Sequence, residues 1–146
     1  AFVSETSLFS QAIGAAGAYI SLYARVSSGL QNVGIDGNAG GSIRGSTTIN
    51  TATNYCAKYE SNGTTLAFEV NGNNETETVV SGSNSGQWFA DFSTSKTSVG
   101  GVAYVSDVFL FNGQIAEVVA YDRVLTGGEL TTLEAYFTSR YGITFT

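Results

Sequence analysis

From Tyr19 onward the chain alternates. Ile20, Leu22, Ala24 and Val26 fall on one side, and Ser21 and Arg25 on the other. This is the period-two pattern of a half-buried strand with a polar outer face. Leu30–Ile35 forms a second candidate strand, closed by the turn pair Asp36-Gly37. The Gly-rich stretch Gly37–Gly41 then leads into a Ser/Thr-rich strand around Ser42–Ile49. Tyr55, Ala57 and Tyr59 alternate, Asn62-Gly63 follows, and Leu66, Phe68 and Val70 alternate after it. Asn-Gly favours the positive-φ turn whose twist matches paired strands, so this is a hairpin. A second turn starts at Asn71-Gly72, after which Glu75–Val80 is expected to pair back. Gln87–Phe92 sets Trp88, Ala90 and Phe92 against Phe89 and Asp91. Val99–Val105 and Phe109–Phe111 are shorter candidates. Ahead of Tyr19, residues 1–18 read as an arm or edge strand. Phe2–Phe9 is the strand portion and Ser10–Gly17 a small-residue loop.

The end of the sequence has a different pattern. Ile115, Val119 and Tyr121 fall on one face, and Ala116, Val118 and Ala120 on the other. Both faces are apolar apart from Glu117, which predicts a central strand covered on two sides. A helix over 126–141 follows. Thr126 and Glu129 make the Thr-x-x-Glu signature of a capping box. Leu130, Leu133 and Phe137 form an apolar stripe. Arg140 suits the negative end of the helix dipole, and Gly142 suits the terminator. Roughly nine to eleven strands with frequent turns, closed by one helix, indicate an all-β sandwich. No repeat of ~40 residues supports a propeller.

The segment Phe111-Asn112-Gly113-Gln114-Ile115-Ala116-Glu117, continuing through Tyr121, Arg123 and Leu125, resembles the ending of laminin-G-like jelly rolls of bacteria and phages. Thr126-Gly127-Gly128-Glu129 and Arg140-Tyr141-Gly142-Ile143 continue the likeness. Leu66–Gly72 is similar to that group's "V-N-G" hairpin, and Val99-Gly100-Gly101 to its glycine-bearing strand. The resemblance is specific over about the last 35 residues, moderate back to Leu66, and a matter of spacing before that. It implies a concanavalin A-like jelly-roll β-sandwich of two antiparallel sheets with one short C-terminal helix, with 1–146 as a single domain. Glu117 is expected to pair with Arg123 or Arg140. A recognised ending implies a fold and leaves the ligand open.

Composition narrows the function. Charged residues make up 12% of the 146 residues, the net charge is −6, and the six Lys and Arg form no stripe. Nucleic acid is therefore an unsuitable partner. No apolar run reaches the ~18–20 residues that span a bilayer, so no membrane insertion is expected. Cys56 is the only cysteine. It has no intrachain disulfide partner, reads first as a small core residue, and suits assembly in a reducing cytoplasm.

Catalysis is not expected. A glycan hydrolase on this fold needs two carboxylates about 5–9.5 Å apart. Glu75-Thr76-Glu77 has the i, i+2 spacing without a third acid, and reads as a solvated edge. The sequence has no His, so His-dependent nucleophile systems are absent. Zinc lacks its usual ligands. Calcium is the one cofactor with candidate ligands, Asp36, Asn38 and Asp107, although a plain Asp-Gly turn is the favoured explanation of Asp36-Gly37. A sugar would stack on an aromatic ring, for which Trp88, Tyr104 and Tyr23 are candidates. Core packing is the competing role of Trp88.

The expectation is a non-enzymatic structural module on the surface of a virion: a capsid-decoration, head-fibre or tail-fibre domain. Its partners would be other virion proteins or copies of itself. The alternative is a carbohydrate-binding or adhesive module of a bacterial surface or secreted protein, with glycans as partners.

Overall fold

A computed structural model describes residues 6–12, 19–27, 30–37, 41–49, 53–61, 65–84, 96–103 and 107–146. Within them the protein is all-β with one C-terminal helix. The strands are β1 (Thr6–Ala12), β2 (Tyr19–Ser27), β3 (Leu30–Gly37), β4 (Gly41–Arg44), β5 (Ala57–Ser61), β6 (Leu66–Val70), β7 (Asn73–Asn74), β8 (Thr78–Gly82), β9 (Lys96–Val99), β10 (Val102–Ala103) and β11 (Asp107–Val108). Helix α1 covers Gly127–Tyr141. A six-stranded antiparallel sheet has the order β8-β4-β3-β2-β1-β9. A three-stranded sheet has the order β5-β6-β7, and β10 pairs with β11.

Strands β1 to β4 form a meander, each antiparallel to the next. The polypeptide then leaves to build β5–β7 and returns as β8 beside β4. The expectation that Glu75–Val80 pairs back on the hairpin is thus not met. Asn73 and Asn74, just ahead of that segment, pair with β6, Glu75 N donates to Phe68 O, and Thr78–Gly82 crosses to the other sheet. The turn at Asn71-Gly72 forms as expected, with φ of 52° and 84°.

The core lies where the two larger sheets meet. Ile20, Ala24 and Ile43 from the six-stranded sheet join Leu66, Phe68, Val70 and Ile49, with Leu22, Tyr55, Ala57, Tyr59 and Phe111 packed around them. Tyr59 lies opposite Phe68 in the β5–β6 register, and their rings stack at 5.9 Å. The buried alternation of Leu66, Phe68 and Val70 in β6 follows the sequence pattern directly.

Three expectations are corrected by packing. First, β1 is internal rather than an edge, because it bonds to both β2 and β9. A bulge at Leu8 interrupts its pairing with β2. The bulge lets Leu8 O accept from Gly100 N, while Ser7 N reaches Phe109 O. Second, β2 has no solvated face at its centre, since Ser21 and Tyr23 are as buried as Ile20 and Ala24. Ser21 Oγ donates to Ser7 Oγ at 2.8 Å. Ser10 Oγ donates to Gly101 O at 2.8 Å and lies 2.9 Å from Ser98 Oγ. Small hydroxyls that bond one another can be covered where larger polar groups could not. Third, among the described residues Ile115–Tyr121 pairs with no strand, and beyond half-buried Ile115 it is exposed. It runs without regular structure and leaves Val118, Val119 and Tyr121 exposed.

Helix α1 matches its signals. Thr126 is the N-cap with a complete capping box, and Gly142 ends the helix at φ 69°. Its stripe is half-buried rather than buried at Leu130, Leu133 and Phe137. Asn54 Nδ2 donates to Tyr141 O at 2.9 Å, fastening the helix end to the segment ahead of β5.

Candidate binding surface

The proposed sugar-stacking residues part company in the structure. Tyr23 is 2% exposed, with its hydroxyl 3.3 Å from Ser42 Oγ and 3.4 Å from Ile43 O. It has no ring face open to a sugar. Trp88 and Tyr104 lie outside the described residues. Of the calcium candidates, Asp36 stands in β3 opposite Ser21 and Ser42. Asp107 starts β11 opposite Ala103, and Asn38 lies outside the described residues. Among the described residues no group of three or more acidic, Cys or His side chains is placed to hold a metal. Cys56 is half-buried. Desolvation pushes its thiol up, with Glu134 and Glu69 adding to the effect.

Glu75 and Glu77 do not form a solvated edge. One Glu75 oxygen, Oε2, accepts Ser46 N and Thr47 N, both at 2.7 Å. The other accepts the Thr47 hydroxyl. Two successive backbone N–H groups form a small anion-binding concavity, here filled by a carboxylate of the same protein. Glu77 Oε2 accepts Asn84 Nδ2 at 2.9 Å, and burial pushes its carboxyl above the usual range. Both acids therefore have structural partners. Sequence reading missed the Glu75 cradle because Ser46 and Glu75 are distant along the sequence.

A continuous run of exposed apolar residues lies between the strands and the helix. Val118, Val119, Tyr121 and Val124 are 42–52% exposed along one short segment. Its two ends are held by polar contacts to α1. Before it, Glu117 Oε2 accepts the hydroxyls of Tyr141 at 2.7 Å and Tyr136 at 2.9 Å, with Arg140 Nε 3.9 Å away. The Tyr141 hydroxyl, then that of Tyr136, lower the Glu117 carboxyl. At the other end Arg123 makes two bonds to Glu129, at 2.8 and 2.7 Å. Of the two arginines expected for Glu117, Arg140 is thus near it and Arg123 is engaged elsewhere. The result is an apolar strip held at both ends, with no described strand over it.

Comparison with known protein families, with curated proteins and with solved structures finds no match to this sequence.

Proposed function

We propose that this protein is a non-enzymatic structural module of a virion, such as a capsid-decoration, head-fibre or tail-fibre domain, acting through contact with neighbouring virion subunits. The observation that carries this reading is the exposed strip Val118, Val119, Tyr121 and Val124, tethered at Glu117 and Arg123. A tethered apolar strip loses little conformational entropy when a partner covers it. Exposed apolar patches commonly mark protein contact sites. The low charge of the protein supports the same reading, because a charge-poor surface costs little to desolvate. In this reading the fold is a concanavalin A-like jelly-roll sandwich. Its support is the antiparallel sheets that share a core, together with the resemblance of residues 111–143 to laminin-G-like endings.

The second reading, a carbohydrate-binding or adhesive module, draws on the open rings of Tyr121 and Tyr136. Purified particles from the source virus separate the two. The virion reading requires the protein at a fixed copy number per particle, and the exchange of Val118 and Val119 for serine should remove it without unfolding it. Its absence from particles overturns that reading. Binding to a glycan array that disappears with Tyr121→Ala establishes the adhesive one.

A further inference from the structure

The sequence contains three Asn-Gly pairs, of which Asn62-Gly63 lies outside the described residues. The other two have opposite surroundings. At Asn71-Gly72 the carboxamide oxygen accepts Cys56 N at 2.8 Å. Asn71 N donates to Cys56 O at 2.9 Å, and Asn71 O accepts Thr146 N at 3.2 Å. The Thr146 backbone also lies directly over Gly72. At Asn112-Gly113 both residues are exposed. Among the described residues, neither the Asn112 side chain nor Gly113 N makes a hydrogen bond.

This contrast has chemical consequences. An asparagine followed by glycine is open to attack by the next backbone nitrogen, because glycine has no Cβ to obstruct the approach. Gly113 N loses its proton and forms a bond to Asn112 Cγ, and ammonia leaves to give a cyclic imide. Water then opens the ring. Cleavage of the new bond between Cγ and nitrogen yields aspartate, and cleavage of the original peptide bond yields isoaspartate. The net change is loss of ammonia and gain of water, with no other reactant.

We propose that Asn112-Gly113 is a spontaneous modification site, converting to aspartate and isoaspartate, and that the fold protects the identical Asn71-Gly72 pair. Each product adds a negative charge between core-packed Phe111 and the exposed strip. Isoaspartate also lengthens the backbone there, re-aiming the strip relative to the sheets. The proposal does not depend on the virion reading.

The test is incubation of the folded protein in warm, mildly alkaline buffer, followed by peptide mapping. Mass spectrometry reads amide-to-acid conversion, and a protease that cuts before aspartate but not isoaspartate separates the products. Asn112 is expected to convert at least about tenfold faster than Asn71, the protection that a net hydrogen bond or more at Asn71 supports. In denaturant the two rates should converge. Asn112→Gln should abolish the acidic variant that peptide mapping assigns to the Asn112-Gly113 peptide. Comparable native rates at the two sites overturn the proposal, as does an Asn112 that stays intact in the folded protein while the denatured protein converts. A rate ratio unchanged by denaturation assigns the contrast to local sequence and overturns the protective role of the fold.

Discussion

Asn84 grips Leu66 by both of its backbone groups: Leu66 N donates to Asn84 Oδ1 at 2.9 Å, and Asn84 Nδ2 donates to Leu66 O at 2.8 Å. The carboxamide supplies what a neighbouring strand residue would, on β6 where β7 pairs only with Glu69 and Val70. The second Asn84 N–H goes to Glu77. Asn84→Ala leaves two backbone groups and a half-buried carboxylate without these partners. The expected cost is about 1–3 kcal/mol, read as a lower urea midpoint with an unchanged slope. A variant as stable as the parent would mean that water replaces the amide fully.

Tyr59 gives a prediction of the opposite sign. Its hydroxyl is buried and makes no hydrogen bond among the described residues, and burial pushes its pKa up strongly. Removing an unsatisfied buried group relieves its desolvation cost. Tyr59→Phe should therefore raise stability by about 1 kcal/mol while keeping the ring stack with Phe68. Thermal unfolding checks this. A clear loss of stability would show that the hydroxyl has a partner in solution.

Phe68 anchors both layers of the core and is 1% exposed. Phe68→Ala is expected to cost about 3–5 kcal/mol, a large part of the stability of an ordinary domain. Phe68→Leu should cost less than half as much. Equal losses for the two variants would argue against close packing at this position.

Gly45 tests the Glu75 cradle. A Cβ at Gly45 would collide with Glu75 Oε2 and with the Phe68 ring, so Gly45→Ala displaces the carboxylate that holds Ser46 and Thr47. The expected outcome is destabilisation together with faster amide exchange at Ser46 and Thr47. Unchanged exchange there would show that the cradle does not hold the loop.

Glu129 carries the acid response of the helix start. The Arg123 hydrogen bonds, then those of Thr126, hold its carboxyl at about 2, well below the ordinary 4.5. Because the folded-state value is the lower one, the ionised group stabilises the folded form fully above pH 4.5 and progressively less as pH falls towards 2. An NMR titration of the Glu129 carboxyl should show the depressed midpoint, and Arg123→Ala should move it upward. A midpoint indifferent to that substitution would mean the pair does not persist in solution.

The elements legible from sequence alone were local. The β5–β6 hairpin, the positive-φ turn at Asn71-Gly72 and the capped helix 127–141 rest on residues a few positions apart. Their turn chemistry, period and capping act before any tertiary contact forms. Tertiary structure decided where each piece went. The polar side of β2 became part of a buried serine seam, in which Ser21 bonds Ser7 of neighbouring β1 and Ser10 of β1 bonds Gly101 O. The strand after Glu75 joined β4 in the six-stranded sheet, leaving only Asn73 and Asn74 to pair with β6. Glu75 found its donors on the far side of β5–β7, at Ser46 and Thr47. Ile115–Tyr121 has the apolar pattern of a central strand, yet it stays exposed beside a helix to which Glu117 and Arg123 tie its ends. Periodicity records that a segment needs apolar cover. Which surface supplies that cover depends on contacts between distant parts of the protein, and a period along the sequence carries no information about those.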